Sequence, residues 1–303
     1  MKIAIAGIGG VGGFFGGLLA KHYTAGSTEI FFIARGENEK TIREKGLRMQ
    51  TMNGEFTVHP ALVTSDPGKA GKADLLICCI KGYDLEEAIQ QCYPCITKKT
   101  IILPLLNGVD ARQHIEKIYP DNEVWDGCVY LVSRVTEPGL VKETGNIRKL
   151  FFGSENGRTD MLEAAEKIFL DAGIEATWSR NIEETIWEKF LFISPIATLT
   201  SYLDKTIAEV FADPKSEKLL QQLLSEINEV AVKKGIVLPE NTTAKNIDKM
   251  RSLPAGTTSS MHSDFRKGGR TEVESLTGYV VRLAQTMAVS APVYFKMFEK
   301  LRR

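Results

Sequence analysis

The chain has 303 residues, 43% of them hydrophobic and 25% charged, the proportions of an ordinary globular protein and not of a disordered or low-complexity one. Its length suggests two domains, with enough buried surface to hold a fold without a metal or a disulfide. The 38 Lys and Arg balance the 38 Asp and Glu, which argues against a nucleic-acid or acidic-membrane partner, since either needs a net basic face.

In chain order, residues 2–6 (KIAIA) read as a short apolar strand that runs into glycines and then a helix over residues 14–22. That opening lacks the length and cleavage site of a secretory signal. Residues 29–34 (EIFFIA) are a second buried strand, and LRMQTMNGEFTV reads as a hairpin around Asn53 and Gly54. Residues 74–80 (DLLICCI) and 100–106 (TIILPLL) are two more strands, separated by a helix over residues 83–91. Continuous apolar strands interleaved with helices indicate a parallel sheet covered on both faces. Residues 124–152, rich in Val, Leu, Thr and Gly, are expected to add strands to one edge of that sheet.

From about residue 181 the periodicity turns helical, with helices expected over 182–192, 216–234, 243–251 and a last long one from about 272 to 287. VLPENTT and SLPAGTTSS are the turn-rich connectors. Apolar runs fall short of the roughly 18 residues a membrane-spanning helix needs. The odd number of cysteines, Cys78, Cys79, Cys92, Cys95 and Cys128, points to a reducing, cytoplasmic setting. Cys92 and Cys95 form a C-x-x-C, but a redox dithiol wants the pair at a helix N-terminus directly after a strand. Here the pair follows a helix, and no histidine or second pair completes a zinc set, so both are read as structural.

Gly7, Ile8, Gly9, Gly10, Val11 and Gly12 fit G-x-G-x-x-G, immediately after the first strand and at the opening of the first helix. Gly7 permits the tight turn, Gly9 lets the backbone approach a pyrophosphate, and Gly12 lets helix and strand pack closely. The helix N-terminus adds unpaired N–H groups and a partial positive charge. This context makes the α/β half a Rossmann-type doubly wound domain over residues 1–180, followed by an all-helical domain over residues 181–303. The second strand ends at Arg35, where an NAD-specific site places Asp or Glu; a guanidinium there suits a 2′-phosphate, so NADP (NADPH) is the expected cofactor. Lys81 and Asn107 each follow a strand, at the carboxyl end where such sheets bind ligands; their bland readings are a solvated lysine and a helix-capping asparagine.

GIGGVGG, CCIKGYD, LPLLNGVD, WEKFLF and SSMHSDFRKGGRTEVESLTGYVV together resemble the ketopantoate reductase (2-dehydropantoate 2-reductase) family, in order along essentially the whole chain. The resemblance implies an NADPH-dependent reduction of the 2-oxo acid ketopantoate to pantoate, on the route to pantothenate and coenzyme A. It implies that Lys189 is the catalytic lysine and proton donor, Ser260 a substrate-binding serine, and Glu272 an essential glutamate that also meets the cofactor. Lys81 and Asn107 then contact both substrate and cofactor, and Arg35 the cofactor phosphate. The family's two asparagines that follow the lysine at one-turn spacings fall on Ile193 and Ala197, which puts the identity of the 2-oxo acid in question.

The chemistry asks for the same groups. A ketone reduced by hydride needs a cation or proton donor at the developing alkoxide and donors for the substrate carboxylate. Lys189, between Trp187 and Phe190, can do the first, and Ser260 the second; Glu272, twelve residues after Ser260, can accept from a substrate hydroxyl. Spacing alone would leave Lys189 a solvated residue beside Glu188. His262 is read as a surface histidine, and FRKGGR as a solvated turn from which Arg266 or Arg270 would reach a carboxylate or phosphates. Two competing readings stand: a dehydrogenase of 3-hydroxy acids or phosphosugars, and a regulatory NADP-binding protein that has lost its active site. A helical C-terminal domain often supplies a homodimer face, but the sequence does not fix the oligomeric state.

Overall fold

The computed structural model describes residues 1–24, 26 and 28–303. The chain divides into two compact units, Met1–Leu106 with Ala111–Ile182, and Asn107–Asp110 with Glu183–Arg303.

The first unit carries strands β1 (Lys2–Ala6), β2 (Glu29–Ile33), β3 (Leu47–Thr51), β4 (Gly54–Val58), β5 (Leu62–Thr64), β6 (Leu75–Cys78), β7 (Ile101–Pro104), β8 (Asp126–Glu137), β9 (Leu140–Gly153) and β10 (Glu175–Trp178). Its helices are α1 (Gly10–His22), α2 (Gly36–Lys45), α3 (Leu85–Gln91), α4 (Ala111–Ile118) and α5 (Thr159–Asp171). A parallel sheet runs in the order β5-β2-β1-β6-β7. The chain builds outward from β1 in one direction and then, from β6, in the other. That reversal is the switch point at which doubly wound sheets open a ligand crevice.

Alternation along the strands explains why they read as unbroken apolar runs. Ile3, Ile5, Leu75, Ile77, Ile101 and Leu103 belong to one apolar cluster, while Ala4, Ala6, Leu76, Cys78 and Ile102 belong to a second. Successive side chains point to opposite faces, and both faces are covered.

Residues 124–152 do not extend the parallel sheet. They form the β8–β9 hairpin, which joins β3, β4 and β10 in a second sheet ordered β10-β9-β3-β4, with β8 paired to β9. Among the described residues, the β-pairing of this stretch with the parallel sheet is one isolated bridge, Ile102 to Val124. The hairpin at residues 47–58 supplies the partner strand that composition could not reveal: β3 runs parallel to β9. Helix α1 lies against both sheets, since a Cβ at Gly16 would stand 2.8 Å from Ile5 of β1 and one at Gly13 would stand 2.5 Å from Val141 of β9. β9 ends at Gly153, where a Cβ would fall 1.8 Å from the Ser179 carbonyl oxygen. Backbone cannot move aside as a side chain can, so Gly153→Ala is expected to destabilise the protein by about 1–3 kcal/mol. A urea midpoint equal to that of the parent would contradict this packing.

The second unit is helical: α6 (Ile182–Leu203), α7 (Ile207–Ala212), α8 (Pro214–Lys234), α9 (Thr242–Arg251), α10 (Ser260–Arg266), α11 (Tyr279–Thr286) and α12 (Pro292–Leu301). Helix α6 runs beyond the expected end at residue 192, through Pro195 to Leu203. Its second half is buried on nearly every side, as befits a helix apolar all round. Stops and starts follow local chemistry. Thr206 and Glu209 form a capping box at α7, Asp213 caps α8 ahead of Pro214, and Gly235 ends α8 at φ 91°.

The helix expected over 272–287 is a π-helical turn, Glu274–Gly278, leading into α11. Side chains of α6 hold that turn: Ser194 Oγ donates to the Leu276 carbonyl at 2.7 Å, and the Thr198 and Thr277 hydroxyls lie 2.8 Å apart. It is not the last helix. α12 follows, its first amides at Val293 and Tyr294 donating to the buried Glu226 carboxylate at 2.9 Å each, while burial raises that carboxyl's pKa. Among the described residues, no helix is long and apolar enough to cross a membrane.

Candidate active site

The glycine turn leaves β1 at Gly7, whose φ of 90° and close approach to the Cys79 carbonyl (2.7 Å for a Cβ) exclude a side chain. The Gly7 amide donates to the Ile33 carbonyl at 3.0 Å, tying the turn to the end of β2. A Cβ at Gly12 would lie 2.1 Å from the Gly7 carbonyl oxygen, so the first turn of α1 sits directly on the loop. At Gly9, by contrast, a Cβ would meet no atom within 4 Å: the loop is open on that side. The amides of Gly10, Val11 and Gly12 fall in the first turn, where N–H groups have no intrahelical acceptor.

A groove of about 190 Å³ runs from this turn along the ends of β1 and β2, with Gly7, Ile8, Arg35, Asn38, Gln91 and Cys92 among its walls. Arg35 stands at the N-cap of α2, and its guanidinium donates to the Gln91 side-chain oxygen. Lys81 opens the turn Gly82–Asp84 between Ile80 and Asp84, both of which line the groove, and is itself half-buried.

Two groove residues escaped sequence reasoning. Asn38 Nδ2 donates to the Ile8 carbonyl and its Oδ1 accepts from the Gly139 amide, both at 2.8 Å, so it clamps the glycine turn to the β8–β9 turn. Gln91 ends α3. Their partners lie 30 to 101 residues away in sequence, and no local pattern announces them. The five cysteines are free thiols. Cys95 Sγ donates to the Cys92 carbonyl at 3.1 Å within a short turn after α3, and the hydrogen bond to Cys95, followed by burial, raises the Cys92 thiol pKa.

The second unit carries the other expected site residues, and a contact joins two of them, Lys189 and Asn107. Lys189 is buried at 8% exposure while Glu188 beside it faces solvent, so it is not the solvated residue that spacing alone would suggest. Its ammonium donates to Asn107 Oδ1 at 3.1 Å, bringing together two site residues 82 apart in sequence. Around this part of α6, the rings of Trp187, Phe190 and Tyr279 pack with centroids 5.5–6.4 Å apart. Ile193, one turn beyond Lys189, packs against the apolar core of this unit, and Ala197 lies within it. Glu272 is buried at 3% exposure just ahead of the π turn, and its carbonyl accepts from the Leu276 amide at 2.9 Å.

Ser260 is the first residue of α10 and is exposed; the cap belongs to Ser259, which accepts from the His262 amide at 3.0 Å. His262 is not a surface histidine. It is buried at 1% exposure, its Nε2 2.7 Å from Asp204 Oδ1 and its Nδ1 bonded to the Thr258 hydroxyl. The sequence concealed this because Asp204 lies 58 residues upstream and turns toward the ring from a left-handed backbone at φ 53°. Arg266, the last residue of α10, shares that carboxylate at 2.8 Å, and residues 267–270 beyond it are exposed.

A glycine turn at the switch point of a parallel sheet, with a separate helical unit bearing a buried lysine, fits the class that the family match gives: an oxidoreductase built on a Rossmann-type sheet. Residues 3–157 match the family described as ketopantoate reductase PanE/ApbA, and residues 181–303 its C-terminal counterpart; the chain belongs to the ketopantoate reductase family. It is 28% identical over 302 residues to the uncharacterized oxidoreductase YkpB of Bacillus subtilis, covering 99% of this chain and 98% of that one. The crystal structure of 2-dehydropantoate 2-reductase from Porphyromonas gingivalis W83 is 34% identical with a TM-score of 0.87, covering 100% of this chain and 99% of that one. A D-mandelate dehydrogenase solved with NADH and anilino(oxo)acetate is 25% identical with a TM-score of 0.87, covering 100% of this chain and 97% of that one.

Proposed function

We propose that this protein reduces a 2-oxo acid with NADPH, and that ketopantoate, reduced to pantoate, is the substrate its polar groups suit best. The observation that carries the reading is the buried ammonium of Lys189 fixed on Asn107.

The first unit fits a nicotinamide dinucleotide. The loop is open at Gly9 and closed at Gly7 and Gly12, unpaired amides open α1, and the groove beside them ends at a guanidinium. Residues 7–12 would hold the pyrophosphate, Arg35 the 2′-phosphate, and Lys81, Asn107 and Glu272 further parts of the cofactor. NADPH, when bound, supplies the hydride. Lys189 gives its proton to the alkoxide oxygen, and its desolvated charge is worth more there than it would be in water. Asn107 keeps the ammonium aimed, Ser260 donates to the carboxylate, Glu272 accepts from the hydroxyl, and Lys81 adds positive charge for carboxylate or phosphate.

Arg35 supports NADP over NAD, while the mandelate dehydrogenase relative, solved with NADH, makes the choice worth measuring. Arg35→Ala is expected to cost about 1.5–3 kcal/mol of NADPH affinity and leave NADH nearly unchanged. Equal losses for both would remove Arg35 from the phosphate site.

A second reading keeps the reaction and changes the substrate. The family resemblance implies asparagines at Ile193 and Ala197, which here belong to or pack against the apolar core, and the loss of those polar groups favours a less polar 2-oxo acid. Steady-state oxidation of NADPH across a panel of 2-oxo acids decides between them. Turnover of none would leave a nucleotide-binding protein without this activity.

A further inference from the structure

We propose that Gln91 is a positioning residue that sets the cofactor choice of Arg35, by holding its guanidinium at the groove without neutralising it. This rests on the NADP reading above. Arg35 comes from the junction of β2 and α2, Gln91 from the last residue of α3, and both face the same groove. The orientation of the Gln91 amide is determined on both sides. Its Nε2 donates to Glu87 Oε1 at 3.0 Å, one turn earlier on α3, which turns Oε1 toward the guanidinium that donates to it. Glu87 therefore acts through Gln91, and its negative charge stands one residue removed from Arg35.

The neutrality of residue 91 is what matters. An unanchored arginine on the surface loses rotamer freedom when it binds a phosphate, and a preformed hydrogen bond removes part of that cost beforehand. A carboxylate would anchor it more strongly but would occupy two donors in a bidentate pair and cancel the charge that a 2′-phosphate needs. A glutamine amide occupies one acceptor position and leaves the remaining guanidinium donors and the full positive charge for the ligand. NADH carries no 2′-phosphate, so its affinity is indifferent to this arrangement.

The test is equilibrium binding of NADPH and NADH, followed by nucleotide or protein fluorescence, to the parent, Gln91→Glu and Gln91→Met full-length proteins. Gln91 is exposed, so neither change disturbs packing. The parent is expected to bind NADPH more tightly. Gln91→Glu should lower the NADPH-to-NADH preference by about tenfold or more, through NADPH alone, and Gln91→Met by about threefold. A preference that stays within about twofold in Gln91→Glu, or a loss shared equally by both nucleotides, overturns the role of Gln91 while leaving the cofactor reading standing. A parent that prefers NADH overturns that reading and this inference with it.

Discussion

Lys189→Ala is expected to lower kcat by about two to four orders of magnitude while the affinity for NADPH stays nearly unchanged. The ammonium is buried and fixed on Asn107, and the residue that follows it one turn later is Ile193. No second cation stands on the neighbouring turns of α6 to take over, since residues 190–203 carry neither Lys nor Arg. His262 is a poor substitute, with both ring nitrogens engaged by Thr258 and Asp204. Single-turnover rates measured beside nucleotide binding separate chemistry from cofactor affinity. A variant that keeps most of its turnover would move the proton-donor role away from Lys189.

Discrimination for the substrate hydroxyl is the second large effect. Ketopantoate carries a carboxylate, a 2-oxo group, two methyls and a primary hydroxyl, which ask for a carboxylate donor, an alkoxide stabiliser and a hydroxyl acceptor. In the proposed reading, Ser260, Lys189 and Glu272 would answer in that order. A site built to hydrogen-bond a hydroxyl rejects analogues lacking it. Glu272 is buried at 3% exposure, and in the proposed reading its carboxylate accepts from that hydroxyl. We therefore expect kcat/KM for ketopantoate to exceed that for 2-oxo-3,3-dimethylbutyrate by at least about 10²-fold, and Glu272→Ala to shrink that ratio as well as the rate. Should the deoxy acid, or one with a longer hydrocarbon part, turn over equally well, ketopantoate would not be the preferred substrate.

Much of the fold is visible in the sequence because its signals are local. The apolar pentads, the glycines at 7, 9 and 12 and the turn at Asn53 and Gly54 need nothing beyond their neighbours to be read. Pairing partners are a different matter. Strand character in residues 124–152 is plain, but whether β9 continues a parallel sheet or joins β3 depends on contacts about ninety residues apart. Helix α6 outran its expected end because tertiary burial overrides a proline in its interior, and α12 was missed because its N-terminus is capped by Glu226, 67 residues upstream of Val293.

The same division runs through the site. The glycine turn and Arg35 announce themselves by position relative to strands. Lys189 does not: beside Glu188 in IEETIWEKFLF it looks like any solvated lysine, and only the family resemblance singles it out before its burial is known. Asn38, Gln91 and the buried pairing of His262 with Asp204 are invisible for a simpler reason, since each is defined by a partner distant along the chain.

The most direct measurement is deuterium transfer. NADPH labelled at C4 of the nicotinamide should deliver deuterium to C2 of the product when ketopantoate is the acceptor, seen by mass and by NMR of recovered pantoate, with Lys189→Ala slowing the transfer in the same assay. Recovery of unlabelled ketopantoate with the nucleotide still reduced, or label appearing in pantoate at an undiminished rate in Lys189→Ala, would contradict it.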